Sequence, residues 1–98
     1  PGAIEVKKTA PDAFLNTNLQ QTLSRLAPDS LTVVGVCTDI CVDATARTAR
    51  YLGCKVEIPE WLVATYDLDG PAPHPGDHSH EEALRHLRDT FGVKVTKA

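Results

Sequence analysis

Cys41 lies where a cysteine can act as a nucleophile. It follows the apolar run of residues 31–36, which is typical of a buried strand, and falls in the first turn of a predicted helix. The unpaired backbone N–H groups and the dipole of such a turn favour a thiolate. The same N–H groups can hold the oxyanion that forms when a thiolate attacks a carbonyl carbon. Cysteine is also a common small buried residue, so position alone leaves both interpretations open.

Cys37 lies four residues before the candidate nucleophile and raises the alternative of a metal site. Thiolate and imidazole bind zinc, and His74, His78 or His80 would have to complete the ligand set. A C-x-x-x-C spacing is not that of a usual zinc knuckle, so we predict no metal ligand in this chain. We interpret these histidines as solvated side chains in or beside a polar loop, and His86 as exposed on a helix.

Length and composition narrow the class of protein. The 98 residues allow one compact domain at most, and 42% hydrophobic with 23% charged residues is typical of a chain that buries a core. The net charge of −3 favours neither nucleic acid nor a membrane surface as partner, and the chain has no apolar run long enough to span a bilayer. Three cysteines without a secretory signal favour free thiols and a cytoplasmic protein. Because the chain has no Met and begins at Pro1, we expect an N-terminal part to be missing.

Hydrophobic periodicity and breaker residues predict strands that alternate with helices. Strands are predicted at residues 3–6, 31–36, 55–58 and 93–96, with residues 61–64 as a short strand or loop after Pro59. Helices are predicted at residues 17–27, 40–52 and 79–91, with a surface loop at residues 67–77. The first helix has a capping-box spacing from Thr17 to Gln20.

This order of elements predicts an α/β fold, a three-layer α/β/α sandwich with a mainly parallel sheet. The strands at residues 31–36 and 55–58 are expected to be neighbours in that sheet. Ligands of such sheets bind outside the carboxyl ends of the strands, which points to residues 35–42.

The segment around Cys41 resembles the nucleophile motif of the isochorismatase-like cysteine hydrolases, in particular the nicotinamidase-like branch. The motif is Val-Gly-Val-Cys-Thr-Asp-Ile-Cys-Val at residues 34–42, followed by Thr45 and Ala46 and by Gly53 before a strand.

Two further segments extend the resemblance. Lys-x-x-x-Asp-Ala-Phe at residues 8–14 resembles the family's catalytic-lysine segment, and residues 82–93 resemble its last helix and strand. The resemblance therefore runs over nearly the whole chain but covers only the C-terminal half of the family. We expect residues 1–98 to be the C-terminal half of a single isochorismatase-like domain.

The resemblance implies a role for each matching residue. Cys41 would be the nucleophile and Lys8 the lysine beside it. A cis peptide bond between Val36 and Cys37 would turn the backbone N–H groups of Cys37 and Cys41 into an oxyanion hole. Phe14 is the one aromatic residue that we assign to substrate binding, although core packing explains it equally well.

The chain also departs from the family pattern. The family's general base is an aspartate on the first strand, which this chain lacks, and the nicotinamidase metal site lies in the same half. Asp39 and Asp43 are better interpreted as acids that interact with a helix N-terminus. We expect a complementary N-terminal half or a second chain to supply the aspartate. A zinc or other divalent ion would be bound by that half, with no cofactor held by this chain, and the exposed half-sheet favours a homo-oligomer.

Two hypotheses of function follow. The first is a cysteine-dependent hydrolase of a small amide, such as nicotinamide, through a thioester intermediate, because true isochorismatases lack the nucleophilic cysteine. The second is a non-catalytic fragment or pseudoenzyme that serves as a structural or interaction module.

Overall fold

The computed structural model describes the backbone of residues 2–65 and 75–97, and the side chains of residues 2–65 and 80–97. The helices are α1 (Leu19–Leu26), α2 (Asp43–Tyr51) and α3 (Pro75–Phe91). The strands are β1 (Leu31–Thr32), β2 (Gly35–Val36), β3 (Val56–Pro59), β4 (Val63–Ala64) and β5 (Lys94–Thr96). A π-helical turn, Thr38–Val42, leads into α2, and a 3-10 turn, Glu60–Leu62, separates β3 from β4.

The described strands form two small parallel sheets. One sheet has the order β1-β3-β5, so that Ile58 of the central strand faces Val95. The other sheet pairs β2 with β4. Parallel strands need crossover connections, and α2 and α3 supply them between β1 and β3 and between β3 and β5. The predicted α/β fold with a mainly parallel sheet is therefore confirmed.

The core lies where α2 and α3 pack against β3. Its buried hydrophobic residues are Val42, Ala46, Ala49, Val56, Ile58, Val63, Leu84, Leu87 and Val93. Ala46 and Ala49 have no exposed surface, and such small side chains let α2 approach its neighbours closely. In the part of the chain that the structure describes, no helix combines the length and the apolar character needed to cross a bilayer.

Residues 31–36 do not form the single strand that their apolar run predicts. The backbone N–H of Val33 still donates to the carbonyl of Glu57 at 2.9 Å, which extends the pairing of β1 with β3. Gly35 then adopts a φ of +124°, a conformation that other residues rarely tolerate, and β2 pairs with β4 instead. The hydrophobic pattern of residues 31–36 does not show that the chain changes its pairing strand within this run, which is why the sequence predicted one strand.

Two predictions near the N-terminus are also corrected. Residues 3–6 form no strand, because no described strand pairs with them and Ile4 is 58% exposed. Helix α1 begins at Leu19 rather than Thr17. The Thr17 hydroxyl accepts the N–H of Leu19 at 3.2 Å, so the predicted capping box with Gln20 does not form.

The loop predicted at residues 67–77 is shorter than expected, since α3 already begins at Pro75. Proline suits the first turn of a helix because it lacks the N–H that would have no partner there. The rest of the predicted loop, residues 67–74, lies outside the described residues. Pro59 ends β3, in register with Thr96 of β5, and so separates it from the next strand.

Arg50 connects the ends of two helices. Its Nε donates to the carbonyl of Phe91, the last residue of α3, at 2.7 Å, and its Nη1 donates to the carbonyl of Cys54 at 2.9 Å. Gly92 lies against this guanidinium with a φ of +73°, and a Cβ there would come within 3.2 Å of Nη2. Arg50 therefore supplies donors to carbonyls at the end of α3 and in the turn after α2.

We predict that Arg50→Ala lowers the free energy of unfolding by about 2 to 3 kcal/mol, because two half-buried carbonyls lose charged donors. Arg25→Ala is the matched control, since Arg25 is exposed in the last turn of α1. The control should change stability by less than about 1 kcal/mol. Urea unfolding measures both variants, and equal midpoints would contradict the role of Arg50.

Candidate active site

Lys8 and Cys41 come together although 33 residues separate them. The Lys8 ammonium lies 3.5 Å from the Cys41 Sγ and also donates to the carbonyls of Ala10 and Pro11, at 3.0 Å and 3.4 Å. The Lys8 side chain is exposed and the thiol is half-buried, so the pair remains open to a small solute. At this distance the ammonium can donate a hydrogen bond to the sulfur.

The turn that carries Cys41 has an unusual backbone. The peptide bond between Val36 and Cys37 is cis, as predicted from the family resemblance. The carbonyl of Cys37 accepts the N–H groups of Ile40 and Val42, at 3.2 Å and 3.1 Å, and so closes the π-helical turn. Of the two predicted oxyanion donors, Cys37 thus lies directly before this turn and Cys41 lies within it.

The lysine segment, residues 8–14, is held on α2 by side chains to which the sequence assigned no role. The Thr48 hydroxyl donates to Asp12 Oδ2 at 2.6 Å, and Asp12 Oδ1 accepts the N–H of Phe14 at 2.9 Å. The Thr45 hydroxyl accepts the N–H of Ala13 at 3.0 Å. The sequence signal for this attachment was the spacing of Thr45 and Thr48. They are three residues apart, on one face of the helix that follows the nucleophile motif.

The two acids beside the nucleophile are engaged elsewhere. Asp39 Oδ1 accepts the hydroxyl of Thr65 at 2.7 Å, and Asp43 forms an ion pair with Arg47 at 3.0 Å. Both acids lie in first turns, Asp39 in the π-helical turn and Asp43 in α2, as their interpretation as helix N-terminal acids predicts.

His80 is not the solvated histidine that the sequence suggested. Its Nδ1 lies 2.7 Å from the hydroxyl of Thr38, and Thr38 has no exposed surface. His80 lies in α3, which packs on the π-helical turn that carries Cys41. His86 is exposed, as predicted, whereas the side chains of His74 and His78 lie outside the described residues.

No metal site is formed by the described residues, in which no three His, Cys, Asp or Glu side chains cluster as a metal ion requires. This finding leaves the metal of the expected N-terminal half as a prediction.

Phe14 lies apart from the Lys8–Cys41 pair. It packs against the core and lines a pocket of about 310 Å³ between α1 and the end of α2, together with Leu23 and Cys54. Neither Lys8 nor Cys41 lines that pocket. The position gives Phe14 a packing role, and contact with a substrate stays a prediction.

Comparisons with known proteins agree on one family. The isochorismatase domain matches residues 1–98. A streptothricin hydrolase of Streptomyces noursei is 44% identical over 70 residues, which are 69% of this chain and 25% of the relative. An uncharacterized isochorismatase family protein PncA of Bacillus subtilis (strain 168) is 31% identical over 97 residues, which are 99% of this chain and 48% of the relative.

Solved structures give the same result. The crystal structure of the nicotinamidase SaPncA from Staphylococcus aureus has 35% sequence identity and a TM-score of 0.80, and covers 93% of this chain and 53% of that chain. The chain thus spans between a quarter and about half of the length of these relatives.

We predict that Cys41 is alkylated before the other two thiols, because only its Sγ has a recorded ammonium contact within the described residues. Iodoacetamide at neutral pH, with the modified peptides quantified by mass spectrometry, measures the three rates in one sample. Cys54 is the internal control, since it is half-buried in the pocket with Phe14. Labelling of Cys54 while Cys41 stays unmodified would contradict the assignment.

Proposed function

This chain belongs to the isochorismatase domain family, and we propose that it is part of a cysteine-dependent hydrolase of a small amide. The observation that carries the proposal is the 3.5 Å contact between the Lys8 ammonium and the Cys41 Sγ. Similar proteins support the hydrolysis of an amide bond, since they include the streptothricin hydrolase and the nicotinamidase described above.

The proposed reaction proceeds through a thioester. The Cys41 thiolate attacks the carbonyl carbon of the amide, so that an S–C bond forms and the carbonyl oxygen becomes an oxyanion. The backbone N–H groups of Cys37 and Cys41 stabilise that oxyanion, and the Lys8 ammonium compensates negative charge near the sulfur. The amide nitrogen takes a proton and leaves as ammonia. Water then attacks the thioester carbon and gives up a proton to the proton carrier, the C–S bond breaks, and the carboxylic acid leaves as the thiolate is restored.

The proton carrier of this reaction is proposed to come from a complementary segment. The recorded hydrogen bonds of Lys8 go to two carbonyl oxygens and to the sulfur, and none goes to a carboxylate of the described residues. Asp39 accepts a hydrogen bond from Thr65 and Asp43 pairs with Arg47, each through one carboxylate oxygen. An aspartate of an N-terminal half or a second chain would accept the thiol proton and later deliver it to the leaving nitrogen.

The apolar surface beside the nucleophile supports such a partner. Val34 and Val36, on either side of the β2 start, are 52% and 55% exposed. Exposed apolar residues along a short strand favour the addition of another strand. We propose that the complementary segment covers this surface. We also propose that the assembled protein is a homo-oligomer. A zinc or other divalent ion would be held by the complementary segment. The cytoplasmic location stays a prediction.

The same exposed surface also favours the second candidate, a non-catalytic module that binds a partner through Val34 and Val36. The intact mass of the purified material distinguishes the two candidates. A second polypeptide of similar size supports the split or cleaved hydrolase, and a single 98-residue species without turnover supports the module.

We predict that this chain releases ammonia from nicotinamide only together with the aspartate-bearing segment, because a positioned acid or base contributes about 10²- to 10⁴-fold in rate. Cys41→Ala should abolish turnover of the assembled protein, and Lys8→Ala should lower it by about 10²-fold. Lys7→Ala is the matched control, since it removes the same charge from the neighbouring exposed lysine.

Ammonia release from nicotinamide is measured in a coupled assay, and hydrolysis of streptothricin, as an alternative amide, is followed by mass spectrometry. Full turnover by the chain alone, abolished by Cys41→Ala, would contradict the need for the aspartate and leave the nucleophile assignment intact. Unchanged turnover in Cys41→Ala would contradict the proposed function itself.

We also predict that the isolated chain self-associates, because its exposed valines at the β2 edge lack a covering strand among the described residues. Sedimentation velocity should show a mass that grows with concentration, and Val34→Lys combined with Val36→Lys should shift the chain toward monomer. A concentration-independent monomer of the parent chain would contradict this prediction.

A further inference from the structure

The lysine segment depends on α2 for its position. Residues 9–18 form bends and turns rather than a helix or strand, so their own backbone does not determine where they lie. Asp12 makes one bond within the segment, to the N–H of Phe14, and one bond across to Thr48 of α2. Thr45, one helical turn earlier, accepts the N–H of Ala13 and lies 3.5 Å from the carbonyl of Pro11.

These hydrogen bonds connect the lysine segment, through α2, to the turn that carries Cys41. The Lys8 ammonium is oriented by the carbonyls of Ala10 and Pro11, which belong to the same segment. The segment is tied to α2, and α2 continues without a break from the turn that carries Cys41. The distance from the Lys8 Nζ to the Cys41 Sγ is therefore determined by how the segment sits on α2.

We propose that Asp12 is a positioning residue for Lys8, acting through Thr48 with support from Thr45. The proposal rests on the proposed function, because it gives Asp12 a purpose only if the ammonium serves the Cys41 thiolate. Asp12 touches neither the sulfur nor the ammonium in the described contacts and is not assigned a part in proton transfer.

The hydrogen bonds of Asp12 make it possible to remove its charge without removing its attachment to α2. The half-buried carboxylate accepts two donors, a backbone N–H and the Thr48 hydroxyl. Asparagine can accept the same N–H through its oxygen and donate its amide to the threonine oxygen, since a hydroxyl both donates and accepts. Asp12→Asn therefore removes the charge and keeps the attachment, whereas Asp12→Ala removes both.

The experiment measures the alkylation rate of Cys41 by iodoacetamide as a function of pH, peptide by peptide, in this chain alone and with the complementary segment. If Lys8→Ala slows the reaction about tenfold at neutral pH, Asp12→Ala should slow it at least about threefold and move its pH profile the same way. Asp12→Asn should stay within about twofold of the parent, which is rescue by the conservative variant.

Two more variants keep the test independent of folding and of net charge. Thr48→Val removes the same bond from the α2 side without a change of charge, and should slow alkylation about twofold to threefold. Asp29→Ala removes a carboxylate from an exposed loop and should leave the rate unchanged. The double variant Asp12→Ala with Lys8→Ala should react no more slowly than Lys8→Ala, because both act through one group.

The outcomes separate this inference from the proposed function. A parent-like rate in Asp12→Ala and Thr48→Val, with a slow Lys8→Ala, overturns the positioning role alone. Equal slowing by Asp12→Asn and Asp12→Ala also overturns it, since charge rather than position then matters. An unchanged rate in Lys8→Ala overturns both the role of Lys8 and the inference. The expected ratios, without amide turnover by the chain assembled with the complementary segment, support the positioning role and contradict the proposed function.

Discussion

The contact between the Lys8 ammonium and the Cys41 sulfur is the interaction on which the candidate active site depends. It joins an exposed side chain in an irregular segment to a half-buried thiol in a helical turn, across 33 residues of sequence. A flexible lysine loses much side-chain entropy when it is held in one place. The two carbonyls that accept hydrogen bonds from the ammonium offset part of that loss, because they select the same orientation as the sulfur.

Helix α2 serves the core and the site with two different faces. Ala46 and Ala49 are fully buried against the core, and their small size brings the helix close to its neighbours. Thr45 and Thr48, each one residue earlier, bind the lysine segment. Because adjacent residues on a helix are about 100° apart, a one-residue offset separates a packing face from a binding face. The packing that stabilises the fold therefore also sets the position of the lysine.

Two further hydrogen bonds hold the π-helical turn that carries Cys41. Thr38, at its start, bonds to His80 of α3, and Asp39 bonds to Thr65 just after β4. Both partners are far from the turn in sequence, and both are polar groups that would lose solvation if they were buried without a bond. The turn is thus oriented by α3, by β4 and by its own continuation into α2, which explains how five residues of π-helix keep one geometry in a small fold.

Much of this protein follows from local pattern. The alternation of apolar strands and amphipathic helices was enough to predict the parallel α/β fold. The place of Cys41 between a strand and a helix made it a candidate nucleophile, and the family resemblance favoured that role over a buried cysteine. The importance of Lys8 came from the family resemblance, since an exposed lysine has no local pattern of its own. Tertiary structure decided the rest: the division of residues 31–36 between two sheets, the bond from His80 to Thr38, and the attachment of Asp12 to Thr48. The physical reason is that periodicity reports which face of an element is buried, whereas a hydrogen-bond partner is chosen by the distance and direction between segments that only the folded chain brings together.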